Sequence, residues 1–371
     1  MMDKKHYFNR RYLVIFFVTV FSVLIPVFAI NFIYDPGDIY LQKMLKAKYM
    51  QDYVKLLTSS STGVITFGNE RAVKGALAQK AGDFDTVICG SSHVMPLGRV
   101  MVHQFAKSFP GRSLNLGVSG GALEDIMIFS HMILHNPHRP KALVIEISPW
   151  SLKWGMDVRY MVYQEHLYGM FKDLGIKPPG AVEPYWLQLL TNAVNFEYFS
   201  QSVKSLCSAP FKVIPDNPLK EYGEVGKFDF DKGYKSVVTL NDGSHVYSSS
   251  YIEQLNTKKD YIGNINYKLD GEDYDEAAVS VFEKMVDLVK KEKIEVYFLL
   301  APYNPMFFKL ADVSSVDRLT RVERRIRKIS QENNIKVFGS YDPKANGLVE
   351  DDFFDVMHAK PAGLNKIDFS R

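Results

Sequence analysis

The chain has 371 residues, enough for one large α/β domain with an insertion or for two small domains. Its 45 basic and 42 acidic residues leave a formal charge of +3, which gives no argument for a nucleic-acid partner. Two cysteines, Cys89 and Cys207, supply neither a disulfide framework nor metal-ligand spacing, and no zinc signature, P-loop or dinucleotide fingerprint is present, so no metal and no cofactor is implied.

Tyr12 to Tyr34 is almost wholly apolar, interrupted clearly only by Thr19, Ser22 and Asn31. Its length suits one helical bilayer crossing, which needs about 20 residues. Lys4, Lys5, Arg10 and Arg11 precede it, and Asp35 and Asp38 follow. The positive-inside rule then leaves the first residues in the cytoplasm and exports the rest. The rival reading is a cleavable signal peptide, with Val27-Phe28-Ala29 as cleavage site and Pro26 as helix breaker. The apolar stretch continues past Ala29, which favours an uncleaved anchor.

Tyr40 to Leu57 reads as a helix, and Asn69 to about Gln79 as a shorter one. Phe84 to Cys89 is the first strand. A short strand ends near Asn115, and a helix runs from Leu123 to Leu134. Lys141 to Ile147 is nearly continuous in apolar residues, the pattern of a strand covered on both faces. Ser148 to about Tyr267 has no sustained period and reads as an insertion capping one end of a sheet, with a hairpin around Asn241-Asp242-Gly243. Regular alternation returns with a helix at Tyr274–Lys291, a strand at Ile294–Leu300, a helix at Ser315–Asn333 and a strand at Ile335–Phe338. Strands alternating with helices predict a parallel sheet.

The first strand ends in Gly90-Ser91-Ser92-His93, which sets a hydroxyl at the rim where open α/β sheets bind ligands. Serine needs a base to attack, and Asp355-Val356-Met357-His358 offers an imidazole with a carboxylate to orient it. Both segments follow strands of a parallel sheet, so both lie on one rim. Ser92, His358 and Asp355 are the candidate nucleophile, base and orienting acid, with Ser91 the alternative nucleophile. Backbone N–H groups of Ser92 and Gly117 are the candidate oxyanion donors. His93 reads as a bystander at the rim, and Glu146 as a buried, hydrogen-bonded acid.

These blocks resemble the SGNH (GDSL-type) hydrolase superfamily. Gly90-Ser91-Ser92 stands for Gly-Asp-Ser, Asn115-Leu116-Gly117-Val118-Ser119-Gly120 for Asn-x-Gly-x-x-Gly, and Asp355-Val356-Met357-His358 for Asp-x-x-His, continued by Ala362-Gly363-Leu364. The third block, Gly-x-Asn-Asp, is replaced by Glu146-Ile147-Ser148-Pro149-Trp150, so the asparagine donor is missing: either Ser148 or another group substitutes, or the hole has only backbone donors. The resemblance implies a flavodoxin-like three-layer α/β sandwich. Its segments would be a cytoplasmic N-terminus at 1–11, a transmembrane anchor at 12–34, stalk and leading helices at 35–79, and a catalytic domain at 80–371 carrying the insertion at about 150–267.

With the single anchor, the chain is similar to the membrane-anchored DltD/AlgJ-like proteins of cell-surface polymer O-acylation. That implies a serine O-acyltransferase on the periplasmic or extracellular side of the cytoplasmic membrane. A membrane-bound O-acyltransferase would be its partner, a glycan or glycopolymer its acceptor, and nucleic acid no part of its work. A carbohydrate esterase of the same fold and a catalytically weak polymer-binding scaffold are the alternatives.

Overall fold

The computed structural model describes residues 4–35, 39–60, 63–65, 70–180, 182, 185–205, 237–247 and 265–370. Asn69, Cys207 and the stretch 206–236 of the expected insertion lie outside the described residues. The helices are α1 (Lys4–Tyr34), α2 (Leu41–Ser59), α3 (Glu70–Ala78), α4 (His103–Ser108), α5 (Leu123–Leu134), α6 (Gln164–Asp173), α7 (Tyr185–Ala193), α8 (Phe196–Ser205), α9 (Glu276–Lys291), α10 (Pro305–Leu310), α11 (Val313–Glu332) and α12 (Pro361–Leu364). The strands are β1 (Val64–Ile65), β2 (Thr86–Cys89), β3 (Ser113–Asn115), β4 (Ala142–Glu146), β5 (Val237–Thr239), β6 (His245–Tyr247), β7 (Glu295–Leu300) and β8 (Lys336–Gly339).

The chain divides into two compact units, 1–49 with 183–210, and 50–182 with 211–371. In the first, α1 runs unbroken through Pro26. Its segment Arg10–Tyr34, of mean hydropathy 2.9, is long and apolar enough to cross a membrane. The polar residue near its end is satisfied locally: Asn31 Nδ2 donates to the carbonyls of Asn192 (3.1 Å) and Ala193 (3.2 Å), and Ser202 Oγ donates to Asn31 Oδ1. Helices α7 and α8, expected within the catalytic insertion, thus pack with α1. A buried Asn needs such partners, because an unmet amide costs about 1–3 kcal/mol.

The second unit is built on a five-stranded sheet in the order β3-β2-β4-β7-β8, every pairing parallel. β2 and β4 are buried along their whole length, which is why their sequences are continuously apolar rather than alternating. Burying Leu143, Val144 and Ile145 of β4 contributes about 1.5–3 kcal/mol each. Counted along the chain, the strand order is 2-1-3-4-5, so the direction of winding reverses between β2 and β4. Ligands of open α/β sheets bind beyond the strand ends at such a point. The hairpin β5–β6 pairs with β1 in a small antiparallel sheet. Its His245 N–H donates to Met95 O (2.7 Å) and its Asp242 O accepts from Asn115 N–H (2.7 Å), which anchors it to the rim loops after β2 and β3.

Candidate active site

At the end of β2 the chain turns at Gly90, where a Cβ would stand 2.6 Å from both Cβ and Oε2 of Glu146. Only glycine lets the turn lie this close to the end of β4. The Ser91 N–H donates to Glu146 Oε2 (2.7 Å), which ties the turn to the neighbouring strand. Ser91 Oγ accepts from His93 N–H and begins a short 3₁₀ turn, Ser92–Val94. Successive side chains therefore diverge: Ser91 is fully buried, while Ser92 is half-buried.

Ser92 Oγ lies 2.8 Å from His358 Nε2. His358 Nδ1 lies 2.7 Å from Asp355 Oδ2 and 3.0 Å from Oδ1. Donors in the loop after β8, and one from the loop after β7, hold this geometry. Asp355 Oδ1 also accepts the N–H groups of Met357 (2.9 Å) and His358 (2.8 Å), and Asn304 Nδ2 donates to the Asp355 carbonyl. Burial disfavours a charged Asp355, yet His358 and the two backbone donors bring it down to about 2. Burial also disfavours a charged His358, but the Asp355 charge and hydrogen bond, with the charge of Glu146 behind them, raise it above the ordinary histidine value. Nδ1 facing a carboxylate carries the proton, so neutral His358 presents a lone pair at Nε2 to the Ser92 hydroxyl.

Of the two amides expected to receive an oxyanion, the Ser92 N–H has no acceptor among the described residues. The Gly117 N–H is engaged: it donates to Asn115 Oδ1 (2.8 Å). Asn115 is itself fixed, its Nδ2 donating to Val94 O (2.6 Å) and Leu97 O (2.8 Å), so the second block braces the serine turn from behind. Along this loop, Leu116 N–H bonds Ile88 O, Val118 N–H bonds Gly90 O, Ser119 N–H bonds Glu70 and Gly121 N–H bonds Val118 O. The Gly120 N–H alone in this run lacks an acceptor among the described residues.

A clamp that sequence reasoning missed orients that amide. Ser119 O accepts from Arg71 Nη2 (3.1 Å) and Arg159 Nη2 (2.7 Å), Gly120 O from Lys268 Nζ (3.1 Å), and Gly121 O from Trp150 Nε1 (2.8 Å). In a trans peptide the N–H points opposite to the carbonyl, so gripping Ser119 O aims the Gly120 N–H away from the guanidiniums. Gly120 has φ +61°, a left-handed conformation, and its loop crosses directly against Gly90 and Ser91. The cations are balanced by buried acids: Arg71 is paired with Asp125 through two hydrogen bonds, and Asp157 joins Arg159 and Lys268. Burial opposes ionisation of Asp157, but its cationic neighbours bring it to about 2. Each of these residues sits alone in the sequence, with no motif to mark it.

Ser148, one of the expected substitutes for the missing asparagine, donates inward to Glu146 Oε1 (2.7 Å), and its oxygen lies 2.9 Å from Ser91 Oγ. Its hydroxyl is committed to the floor of the turn. Glu146 is completely buried, and burial disfavours its charge, yet His93, Ser91 N–H and Ser148 hold it below the ordinary glutamate value. His93 lies 3.4 Å from Glu146 through Nδ1, and its ring centre is 5.2 Å from that of His358. Its Nε2 is buried with no hydrogen-bond partner among the described residues.

No model of a known protein family matches the chain, and no curated protein matches it significantly. The fold and site together define an α/β chain with a serine, an imidazole and a carboxylate in hydrogen-bonded series at the point where its sheet changes winding direction.

Proposed function

We propose that this chain is an SGNH-like serine acyltransferase of the cell envelope, with a three-layer α/β catalytic domain held outside the cytoplasmic membrane by α1. The observation that carries the reading is the continuous series from Ser92 Oγ through His358 to Asp355. In it, Ser92 Oγ attacks the acyl carbonyl of a donor while His358 Nε2 takes the hydroxyl proton. The N–H groups of Ser92 and Gly120 receive the tetrahedral oxyanion. Collapse breaks the bond to the leaving group, which takes the proton from His358, and leaves an acyl ester on Ser92. A glycan hydroxyl then gives its proton to His358 and attacks that ester, and the proton returns to Ser92. A membrane-bound O-acyltransferase is the partner and a surface polysaccharide the acceptor, as the resemblance of the three blocks and the apolar N-terminal helix suggest.

Hydrolysis of the same ester is the second reading. His358 keeps 27% of its side-chain surface exposed, which lets water compete with a sugar hydroxyl. Both readings share the acyl-Ser92 intermediate. The test is to treat the detergent-solubilised chain with a serine-directed phosphonate and with a fluorogenic acetyl ester. Covalent mass at Ser92, absent in His358→Ala, supports the proposal. An unlabelled wild-type chain, with normal surface acylation in cells carrying Ser92→Ala, sinks both readings. Added oligosaccharide that becomes acylated at the expense of free acid assigns transfer over hydrolysis.

A further inference from the structure

We propose that α5 and α6 carry a transition-metal site of the zinc class, with His131, His135 and Asp173 as ligands. This inference stands independently of the serine chemistry. His131 and His135 are four residues apart at the end of α5 and so share one face. Opposite them, Asp173 closes α6. His135 Nε2 lies 2.8 Å and His131 Nε2 3.6 Å from the same oxygen, Asp173 Oδ2, and the three donor atoms all lie within 4.8 Å of one another. A tetrahedral zinc ion with bonds of about 2.0–2.1 Å holds its ligand atoms ~3.3 Å apart, so the two distances bracket the requirement.

Two further features prepare the site. His131 Nδ1 lies 3.0 Å from His166 Nδ1, also on α6. With His131 as donor in that bond, its Nε2 lone pair faces Asp173, the tautomer that a metal takes, fixed from behind as metal-bound imidazoles commonly are. Gly169, between His166 and Asp173, leaves space for the ring: a Cβ there would lie 2.2 Å from His131 Nε2. His131 is mostly buried while His135 is 57% exposed, so the ion would keep one side open to water. Imidazole with one carboxylate suits zinc over calcium or magnesium, which prefer oxygen ligands.

The site lies far along α5 from the catalytic loop. His131 is eight residues beyond Leu123, about 12 Å along the helix axis, so the ion does not touch the Ser92 chemistry. Its effect is to staple α6, in the stretch that interrupts the α/β alternation, onto α5 of the core.

The experiment uses the full chain in detergent, stripped with EDTA and then titrated with Zn2+ or Co2+, and with Mg2+ as control. Expected are one zinc per chain by mass spectrometry, visible Co2+ absorption of a low-symmetry site, and a rise in melting temperature with Zn2+ but not Mg2+. His135→Ala and Asp173→Asn, both at accessible positions, each weaken binding by more than about 100-fold. His358→Ala leaves it unchanged. Sub-stoichiometric zinc on a chain folded by circular dichroism overturns the proposal. So does binding that survives both ligand substitutions or disappears with His358→Ala.

Discussion

Ser91 and Ser92 are adjacent, yet each stands beside its own imidazole and carboxylate. Ser92 meets His358 and Asp355; Ser91 meets His93 and Glu146. The residue types are the same, and the geometry is opposite. On the Ser92 side the contacts run in series, hydroxyl to Nε2 and Nδ1 to carboxylate, and the imidazole reaches solvent. On the Ser91 side the carboxylate is the hub, receiving Ser91 N–H, Ser148 and His93, and it is sealed from water. Ser91 Oγ accepts from the His93 backbone rather than donating to its ring. A serine is made reactive by a base that can take its proton and by access for a substrate, and only Ser92 has both.

The sharpest way to break this contrast is to remove the series. Ser92→Ala and His358→Ala are each expected to lower turnover of an acetyl ester by at least about 10³-fold, or roughly 4 kcal/mol of barrier. The urea midpoint of Ser92→Ala should barely move, since Ser92 is half-exposed. Equal loss of turnover in Ser91→Ala would erase the distinction between the two serines.

Next in size is the hub itself. Glu146→Gln keeps the shape but replaces an ionised acceptor with a neutral amide, so the groups that bond it lose a charged partner. Hydrogen bonds to charged groups contribute about 1.5–3 kcal/mol, so a loss of about 2–3 kcal/mol in urea unfolding is expected. Glu146→Gln with unchanged stability would show that the buried carboxylate does not hold the turn.

Smaller, and specific to charge, is the pH response. His358 must be neutral to act as base, so turnover should rise with pH and level off above a midpoint higher than 6.5, the ordinary histidine value. Glu146→Gln removes one of the charges that raise His358, and the midpoint should fall. For stability the signs differ between partners. The raised His358 contributes fully below pH 6.5 and loses its contribution as pH rises through its folded value. The depressed Asp355 contributes above its ordinary 3.8 and loses this as pH falls toward about 2. Asp355→Asn should therefore destabilise most between about pH 4 and 6.5. A loss that is flat with pH would assign Asp355 a packing role only.

The sheet was legible because its strands and helices carry a strong period; α5 and β4 fall within one residue of their expected ends. The three rim blocks were legible because each follows a strand. What escaped depends on contacts across long separations. Nothing in 183–210 announces that its carbonyls will receive Asn31, some 160 residues earlier. Spacing marked Gly117, but the Asn115 side chain reaches that amide first, and Gly120, three residues on, keeps an amide with no acceptor among the described residues. The pair His131 and His135 has helical spacing in the sequence, while Asp173 joins it only through the packing of α6.

The smallest expected effect separates the two serines most cleanly. Ser91→Ala deletes an acceptor for His93 N–H at 3.3 Å and a hydroxyl contact with Ser148 Oγ at 2.9 Å. Ser148 keeps its 2.7 Å bond to Glu146, and the Ser91 N–H bond to Glu146 is made by the backbone and survives the substitution. The remaining loss is one weak cap and one hydroxyl contact, about 1 kcal/mol in urea unfolding, with ester turnover within a few-fold of wild type. Because the variant still carries Ser92 beside His358, it should also take the phonsphonate label at full stoichiometry. A Ser91→Ala chain that folds but resists labelling would mean that the turn presents Ser91, and the series through His358 would then have to be rebuilt around it.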